Sequence, residues 1–213
     1  YDLLERLLPA EVLAHEEQLR HKLLSRYRAH GLLGAGGAGG TFARIANPDV
    51  RKALHKELVE AGALVPVEVE GMRGKCFVLP DELALLEAPR EPPPSVAFVA
   101  PFDSFLWDTA LLANVFDFEY VWEGFFKPEK RRWGYYVLPI LFGDRLVGRI
   151  EPRIEGDAVQ ILGIWWEDGF EPHRDDGFVE AMREALGAYC RFAKAARVEW
   201  PSGLGSEKRL FDP

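Results

Sequence analysis

The sequence has few cysteines, no long apolar run and no recognisable leader. Only two cysteines, Cys76 and Cys190, occur among 213 residues, and neither belongs to a CxxC motif. A structural disulfide or zinc site is therefore not expected, and both thiols are predicted to be reduced and buried, as in a cytoplasmic protein. No stretch approaches ~18 consecutive apolar residues, so no transmembrane helix is predicted. No charged start followed by an apolar core marks a signal peptide.

Motifs that carry common enzyme chemistry are also missing. There is no Walker loop, HExxH, GxSxG or GxGxxG motif in a suitable strand–helix context. Asp103, Asp108 and Asp117 lie among aromatic residues, where burial could raise a carboxylate pKa, but helix caps and turns explain such aspartates more often. His15 and His21 are six residues apart on one predicted helix, which is a poor spacing for a metal. We therefore predict no catalytic residue, no metal site and no cofactor in this chain.

The charge balance excludes a protein that coats nucleic acid with its whole surface. The chain has 34 acidic and 26 basic residues, a net charge of −8 and a pI of about 5.2. A local basic face is compatible with this total, so the distribution of charge along the chain decides whether nucleic-acid binding is expected. An apolar content of 48%, with six Trp and fourteen Phe, supplies enough surface for folded cores and argues against disorder.

Residues 1–86 are predicted to form a winged-helix domain with an N-terminal connecting helix. Apolar residues at three- and four-residue spacing indicate an amphipathic helix over 10–30. Asn47 followed by proline starts a second helix, and alternation over 64–70 and 75–80 indicates a two-stranded ribbon. Two helices and a ribbon are the order of a winged helix, whose second helix can enter a DNA groove. Such modules also serve as protein-interaction or spacer domains.

A proline-rich linker, EAPREPPPS at 87–95, separates this domain from a second one at 96–213. Beyond it, runs rich in branched and aromatic residues, including FDFEYVWEGFF at 116–126, indicate β-strands. Gly-Asp and Glu-Gly-Asp turns between the later runs predict an antiparallel, β-barrel-like domain. A helix over roughly 174–196 is predicted to pack on the sheet, and the fold class is α+β. The helix residues expected to face the sheet are Phe178, Met182, Leu186, Tyr189 and Phe192.

The segment KPEKRRWGYY at 127–136 concentrates positive charge in an acidic chain. Only Glu129 opposes its four cations. Cations at a hairpin tip gain affinity for phosphates by counterion release, and arginine suits the negative potential of a narrow minor groove. The aromatic residues could stack or wedge beside bases, although at least one tyrosine is expected to pack into the sheet. The predicted DNA-binding residues of this hairpin are Lys127, Lys130, Arg131, Arg132, Trp133 and Tyr135.

Two further basic patches lie in the first domain. One is the end of the first helix, at 19–30, where the helix dipole alone favours cations. The other is the second helix, where Glu57 and Glu60 dilute the positive charge and His55 accompanies it. An exposed polar face is the simpler account of both patches. Their candidate phosphate contacts are Arg20, Lys22 and Arg26 on the first helix, and Arg51, Lys52 and Lys56 on the second.

Four segments recur in a known family: YDLLERLLP, LVEAGALVPVEVEG, APFDSFLWD and, most specific of all, KRRWGYYVLPILFGDRLVGRIEP. Together they resemble the winged-helix DNA glycosylases that unhook interstrand crosslinks, the AlkZ/YcaQ-like family. The resemblance implies tandem winged helices and a C-terminal β-barrel around a concave DNA-binding surface, with the hairpin at 127–136 in the minor groove. It also implies hydrolysis of the N-glycosidic bond of alkylated purines, whose cationic base is already a good leaving group.

The chain departs from this family at the catalytic pair, a glutamine followed two residues later by glutamine or aspartate. Gln18 is followed at that spacing by Arg20, and Gln160 by Leu162, so neither glutamine fits. We therefore expect this chain to be the C-terminal, DNA-binding portion of a bacterial repair glycosylase. The catalytic winged helix is expected before Tyr1, and the chain alone is expected to be inactive.

Two alternatives belong to other classes. A transcriptional regulator would read sequence with the winged helix and use the barrel as a sensor, but it would need a dimer, and no long apolar dimerisation helix is visible. A protein-interaction scaffold would bind no nucleic acid. The expectation is a cytoplasmic monomer that binds duplex DNA and no membrane.

Overall fold

The chain divides into two compact units, residues 1–89 and 90–213. The structure is a computed structural model, and it describes residues 13–38, 40–43, 45, 47–203 and 208–212. The division falls inside the proline-rich segment 87–95. The segment YDLLERLLP lies outside the described residues.

The first unit contains two long helices. Helix α1 spans His15–His30 and ends at Gly31, whose φ of 74° is a conformation that glycine adopts without steric cost. Helix α2 spans Pro48–Glu60 and begins, as predicted, after Asn47, whose side chain accepts the Val50 N–H at 3.0 Å. Both helices expected from the sequence are therefore present.

A three-stranded antiparallel sheet accompanies these helices in the order β1-β3-β2. Its strands are β1 (Leu33–Gly34), β2 (Val65–Val67) and β3 (Cys76–Val78). The β2–β3 pair confirms the predicted ribbon, with shorter strands. The sequence does not predict β1, because two residues beside a glycine-rich run show no alternation. It also does not predict helix α3 (Pro80–Glu87), which starts with a proline suited to the first helical turn.

The core of the first unit joins α1, α2 and the sheet, and each fully buried large side chain stabilises it by about 1.5–3 kcal/mol. On α2, Val50 is 42% exposed, and His55, which the sequence analysis placed with the exposed polar residues, is buried. The reason is that Tyr27 offers His55 a hydrogen bond inside the core. The buried apolar residues are Leu23, Tyr27, Leu33, Phe42, Ile45, Leu54, Leu58, Leu64 and Phe77.

The second unit is built on a five-stranded sheet. Its strands are β4 (Val96–Phe98), β5 (Leu138–Phe142), β6 (Arg145–Glu155), β7 (Ala158–Trp166) and β8 (Arg197–Glu199). Its helices are α4 (Thr109–Phe116), α5 (Asp176–Ala193) and α6 (Lys208–Phe211). Together with the first unit, this gives the α+β class that the sequence predicts.

The sheet order is β4-β5-β6-β7-β8. Tight turns at 143–144 and 156–157 join β5 to β6 and β6 to β7, as predicted, and place Gly143 and Gly156 at positive φ. The fifth strand differs from expectation, because β8 pairs with β7 in parallel. The edge strands β4 and β8 do not pair with each other within the described residues, so the sheet is open there.

The segment between β4 and β5 is not a strand, although FDFEYVWEGFF at 116–126 was expected to form one. The structure describes all of residues 99–137, and they contain α4 and three 3₁₀ turns but no strand. Asp108 caps α4 by accepting the Leu111 N–H at 3.0 Å. Asp103 accepts the Phe105 N–H at 2.9 Å. Both aspartates are helix caps, in agreement with the simpler of the two sequence interpretations.

Both faces of the sheet are covered. Helix α5 packs on one face through buried residues that include Phe178, Met182 and Leu186, whereas Phe192, expected to face the sheet, is 84% exposed. On the other face, Leu146 of β6 joins a core formed by the 99–120 segment. Residues 146–152 of β6 are consequently buried on both sides.

Both cysteines are buried thiols, as predicted. None of the helices in the described part of the chain combines the length and apolar character that crossing a bilayer requires. Within the same residues, no buried side-chain nitrogen or oxygen lacks a hydrogen-bond partner. The buried charged side chains are therefore all hydrogen-bonded.

The buried His55 is neutral, and its hydrogen bonds define its tautomer. Nδ1 lies 2.8 Å from the Arg51 carbonyl oxygen and must donate to it, so Nε2, 2.8 Å from the Tyr27 hydroxyl, accepts from that hydroxyl. Burial lowers the pKa of His55, and the Arg51 guanidinium lowers it further, against the raising effect of the hydrogen bond to the Arg51 carbonyl. Protonation therefore favours the unfolded first unit.

We predict that the first unit loses stability as the pH falls below about 6.5, the ordinary pKa of histidine. The unfolded chain binds the proton first, so stability declines, at most by about 1.4 kcal/mol per pH unit, until the lowered folded pKa is reached. His55→Asn, which keeps a donor for the Arg51 carbonyl, should flatten this dependence. The measurement is urea denaturation by circular dichroism between pH 7.5 and 5.5. His21→Gln, an exposed change on α1, is the control, and equal slopes for all three proteins would contradict the prediction.

Candidate nucleic-acid interface

Residues 127–136, here called the basic loop, do not form the expected β-hairpin. A 3₁₀ turn spans Pro128–Lys130, and residues 131–137 contain no strand before β5 begins. A hairpin would exchange backbone hydrogen bonds between two strands. In the basic loop, five consecutive amides, those of residues 132–136, donate instead to two side-chain carboxylates.

The first carboxylate belongs to Glu123, which is 8% exposed. Its Oε1 accepts the Arg132 N–H at 2.8 Å, and its Oε2 accepts the N–H groups of Trp133 at 2.8 Å and Gly134 at 3.3 Å. Burial raises the pKa of Glu123, but the three amides and the nearby Arg131 guanidinium lower it more, so the net pKa is below its ordinary value. The carboxylate is therefore ionised at neutral pH and directed into the loop.

The second carboxylate belongs to Glu151 on β6, and we call it, together with Glu123, the carboxylate clamp. Glu151 Oε1 accepts the N–H groups of Tyr135 at 2.6 Å and Tyr136 at 3.2 Å. A Cβ at Gly134 would collide with the Glu151 carboxylate, so a larger residue there would displace this carboxylate from the loop amides. The β6–β7 register shifts at Glu151 and Pro152, and such bulges redirect neighbouring side chains.

A buried arginine, on the same face of the sheet as Glu151, also contacts the basic loop. Arg149, two residues from Glu151 on β6, is 5% exposed and lies on the same side of the strand. Its guanidinium donates to Glu167 at 2.6 Å and to the Glu119 carbonyl at 2.6 Å. It also stacks on the Trp133 ring at 4.6 Å.

Burial dominates the electrostatics of the Arg149–Glu167 pair. It lowers the pKa of Arg149 and raises that of Glu167, with the attraction between the two opposing both shifts. An arginine stays charged in proteins at neutral pH. The pair therefore serves to position the loop, since a buried ion pair adds little net stability after desolvation. The sequence analysis missed both residues, because β6 also carries charged residues at its exposed ends and nothing in the sequence marks Arg149 as buried.

Three of the four cations of the basic loop are exposed, and one of them, Arg132, also borders the cleft described below. Lys127, Lys130 and Arg132 are exposed, and Arg131 is half-buried. Arg131 Nε donates to the Phe126 carbonyl at 3.0 Å, and its guanidinium lies 5.0 Å from the centre of the Tyr135 ring. The structure thus brings together the predicted basic residues of this segment, with Arg131 also supporting the loop.

The two predicted aromatic residues of the loop differ in exposure. Tyr135 is 56% exposed. Trp133 is half-buried, and its ring contacts the Arg132 guanidinium at 4.4 Å and the Trp165 ring at 5.4 Å in addition to Arg149. These contacts favour a packing role for Trp133, while Tyr135 keeps a free surface.

An open cleft of about 470 Å³ lies beside the loop. Its charged lining consists of Asp117, Glu119, Glu123, Glu167 and Asp168 with Arg132 and Arg149. Acidic residues outnumber basic ones, so the cleft is a poor phosphate site compared with the outside of the loop. No group of three or more potential metal ligands occurs among the residues that the structure describes.

The candidate contacts of the first unit lie on its two long helices. Lys22 and Arg26 are exposed on α1, and Lys52 is exposed on α2, where Arg51 is half-buried. Two others form surface ion pairs: Arg20 with Glu57 at 2.5 Å, and Lys56 with Glu60 at 3.7 Å. Exposed pairs of this kind contribute only about 0–1 kcal/mol, so they exchange partners readily. An apolar groove of about 780 Å³ runs between α2 and the ribbon, with Arg51, Lys52, Lys56 and Lys75 on its rim.

We predict that Glu123→Ala loosens the basic loop without unfolding the sheet. Three amides lose their acceptor, at about 1–3 kcal/mol for each that stays buried, so local opening should increase at least about fivefold. The measurement is the rate of tryptic cleavage after Lys130, Arg131 and Arg132, read by mass spectrometry. Glu155→Ala, an exposed change on β6, is the control. Cleavage of the Glu123 variant at the parental rate would contradict a structural role for the clamp.

Comparison with known proteins agrees with the resemblance seen in the sequence. The family model described as DNA glycosylase AlkZ-like matches residues 1–192. A solved structure, the Streptomyces sahachiroi DNA glycosylase AlkZ, is similar in fold, with a TM-score of 0.52 at 17% identity. The match covers 90% of this chain and 47% of that one, so this chain spans about half the length of that relative. The chain belongs to the AlkZ-like DNA glycosylase family.

Proposed function

We propose that this chain is the DNA-binding portion of a repair glycosylase that acts on alkylated or crosslinked purines. Family membership supports the repair role. The observation that carries DNA binding is the basic loop: four cations between residues 127 and 132 on a backbone held by the carboxylate clamp. Phosphate contacts from such a loop release counterions and supply most non-specific affinity.

The acidic total does not oppose this proposal, because charges act over short distances in salt. The Debye length is about 8 Å at physiological ionic strength, so a phosphate at the loop is influenced mainly by the charges around it. Of the nearest carboxylates, Glu123 is buried and turned toward backbone amides. The clamp also orders the loop before binding, which reduces the entropy that association would otherwise cost.

The proposed target is the minor groove of duplex DNA, bound by a monomer in the cytoplasm. Arg132 is exposed and suits the negative potential of a narrow groove. Lys127 and Lys130, which are flexible point charges, suit the flanking phosphates. Arg131 and Tyr135 form the inner side of the same surface, and Trp133 supports Arg132 from below.

The first unit is proposed to be a winged helix, at 1–86, joined through the linker 87–95 to a barrel-like domain at 96–213. Supporting this are the order α1, β1, α2, β2, β3 and the antiparallel sheet β1-β3-β2. Helix α2 is the proposed groove-facing helix. Its phosphate contacts are Arg51, Lys52 and Lys56, with Arg20, Lys22 and Arg26 contributed by α1.

Base excision is proposed to need residues that this chain does not contain. Gln18 donates to the Leu13 carbonyl at 2.7 Å, and Gln160 accepts from Arg153. Neither has a glutamine or aspartate two residues later. We assign no catalytic residue and no cofactor to this chain, and we propose that the catalytic pair belongs to a further part of the protein.

We predict that replacing Lys127, Lys130 and Arg132 by alanine weakens duplex binding and reduces its salt dependence. The slope of log affinity against log salt should fall by about 0.9 for each phosphate that the variant no longer neutralises, or by about 2 to 3 in total. Arg131 is left unchanged because it supports the loop. The measurement is fluorescence anisotropy with labelled duplex DNA from about 25 to about 200 mM salt.

The matched control replaces Arg153, Arg174 and Arg191, all exposed elsewhere on the second unit. It changes the net charge by the same amount. Equal slopes for the two triple variants would refute the loop as the DNA-binding surface.

We also predict that this chain alone releases no 7-alkylpurine from methylated DNA, because it lacks the catalytic pair. Chromatography of the free bases after incubation is the measurement, and heat-treated substrate shows that the lesion is present. Release above the protein-free rate would mean that the active site lies within this chain.

A further inference from the structure

Three aromatic residues beside the basic loop form an exposed edge-to-face row, here called the aromatic ladder. Trp122 is its centre, with the Phe102 ring 4.6 Å away at 71° and the Phe125 ring 4.7 Å away at 64°. Phe102 is 65% exposed and Phe125 is 84% exposed. Exposing such rings to water is unfavourable, so a contiguous exposed row indicates an interaction site.

The ladder is held in place and is not a frayed turn. Trp122 Nε1 donates to the Tyr135 carbonyl at 3.3 Å. The indole lies against Gly124, where a Cβ would come within 2.6 Å of it. Between Trp122 and Gly124 in sequence, Glu123 is buried in the carboxylate clamp. The backbone that carries Trp122 and leads to Phe125 is consequently held in place, which limits the entropy lost on binding.

Positive charge adjoins the ladder through shared residues. Tyr135, which accepts the Trp122 hydrogen bond, lies under the Arg131 guanidinium at 5.0 Å. Arg131 in turn donates to the carbonyl of Phe126, the residue after Phe125. Flat apolar rings thus adjoin the cations that follow at 127–132. This combination of stacking surface and cations fits a nucleotide, whose base is flat and whose phosphate is anionic.

We propose that the aromatic ladder binds an unstacked base, with Phe125 as the stacking residue, so that the second unit prefers DNA with a locally opened duplex. The proposal rests on the DNA-binding function and deepens it. In an intact duplex the base faces are covered by neighbouring bases, so Phe125 finds a partner only where stacking is broken. The cations bind the backbone of either form, whereas the ladder distinguishes between them.

The test compares a perfect duplex with the same duplex carrying a single unpaired adenine, using the whole chain. The parent should bind the bulged duplex more tightly. Phe125→Leu, which keeps apolar bulk but removes the ring, should lose about tenfold in affinity for the bulged duplex and less than about twofold for the perfect one. Phe125→Trp should retain the preference. Phe192→Leu is the matched control, since Phe192 is also 84% exposed.

The outcomes separate this inference from the proposed function. If the parent binds both duplexes equally, or Phe125→Leu keeps the preference, the ladder is not a base-stacking site although DNA binding stands. If neither duplex is bound at low salt, both proposals fail. If sedimentation shows that the parent self-associates and Phe125→Leu does not, a second copy covers the ladder, and base stacking is again refuted.

Discussion

Five consecutive backbone amides without a partner strand are the constraint on which the second unit depends. Buried N–H groups require acceptors, and those of residues 132–136 find them in the carboxylates of Glu123 and Glu151. The clamp lets the chain carry an irregular loop across a sheet face where a strand would otherwise be needed. It also turns two negative charges inward, and the cations of the basic loop remain outside.

Arg149 complements the clamp from the same strand. A guanidinium buried against Trp133 and paired with Glu167 costs desolvation energy comparable to what the pairing returns. It fixes the positions of three segments, because its directional contacts link residues 117–119, the basic loop and Glu167, the residue that follows β7. The exposed cations and the aromatic ladder are therefore displayed by a charged, hydrogen-bonded layer that lies on an apolar core.

This arrangement reconciles an acidic protein with a DNA-binding family. The carboxylates of Glu123 and Glu151 are bonded to loop amides, and that of Glu167 is paired with Arg149. The exposed Asp117, Glu119 and Asp168 line the cleft beside the loop, and screening weakens the influence of more remote acidic residues. Under the two proposals, affinity depends on a few exposed cations, and discrimination between DNA forms depends on the aromatic rings. The central and most exposed rings of the ladder, Trp122 and Phe125, directly precede the basic loop, and the two contributions can be altered separately by mutation.

The sequence by itself determined the local features: two helices with their caps, the ribbon, the hairpin turns, the concentration of cations at 127–132 and the family. Local signals suffice for these, because caps, glycines and charge runs act over a few residues. Only the tertiary structure decided that the basic segment is a clamped loop, that His55 is buried and that β8 runs parallel. The acceptors of the loop amides lie 9 to 16 residues away in the chain, and Arg149 contacts Trp133 only once the sheet has folded. Which residues become partners over such distances depends on how the tertiary fold buries them, and neither hydrophobic alternation nor β-propensity specifies this.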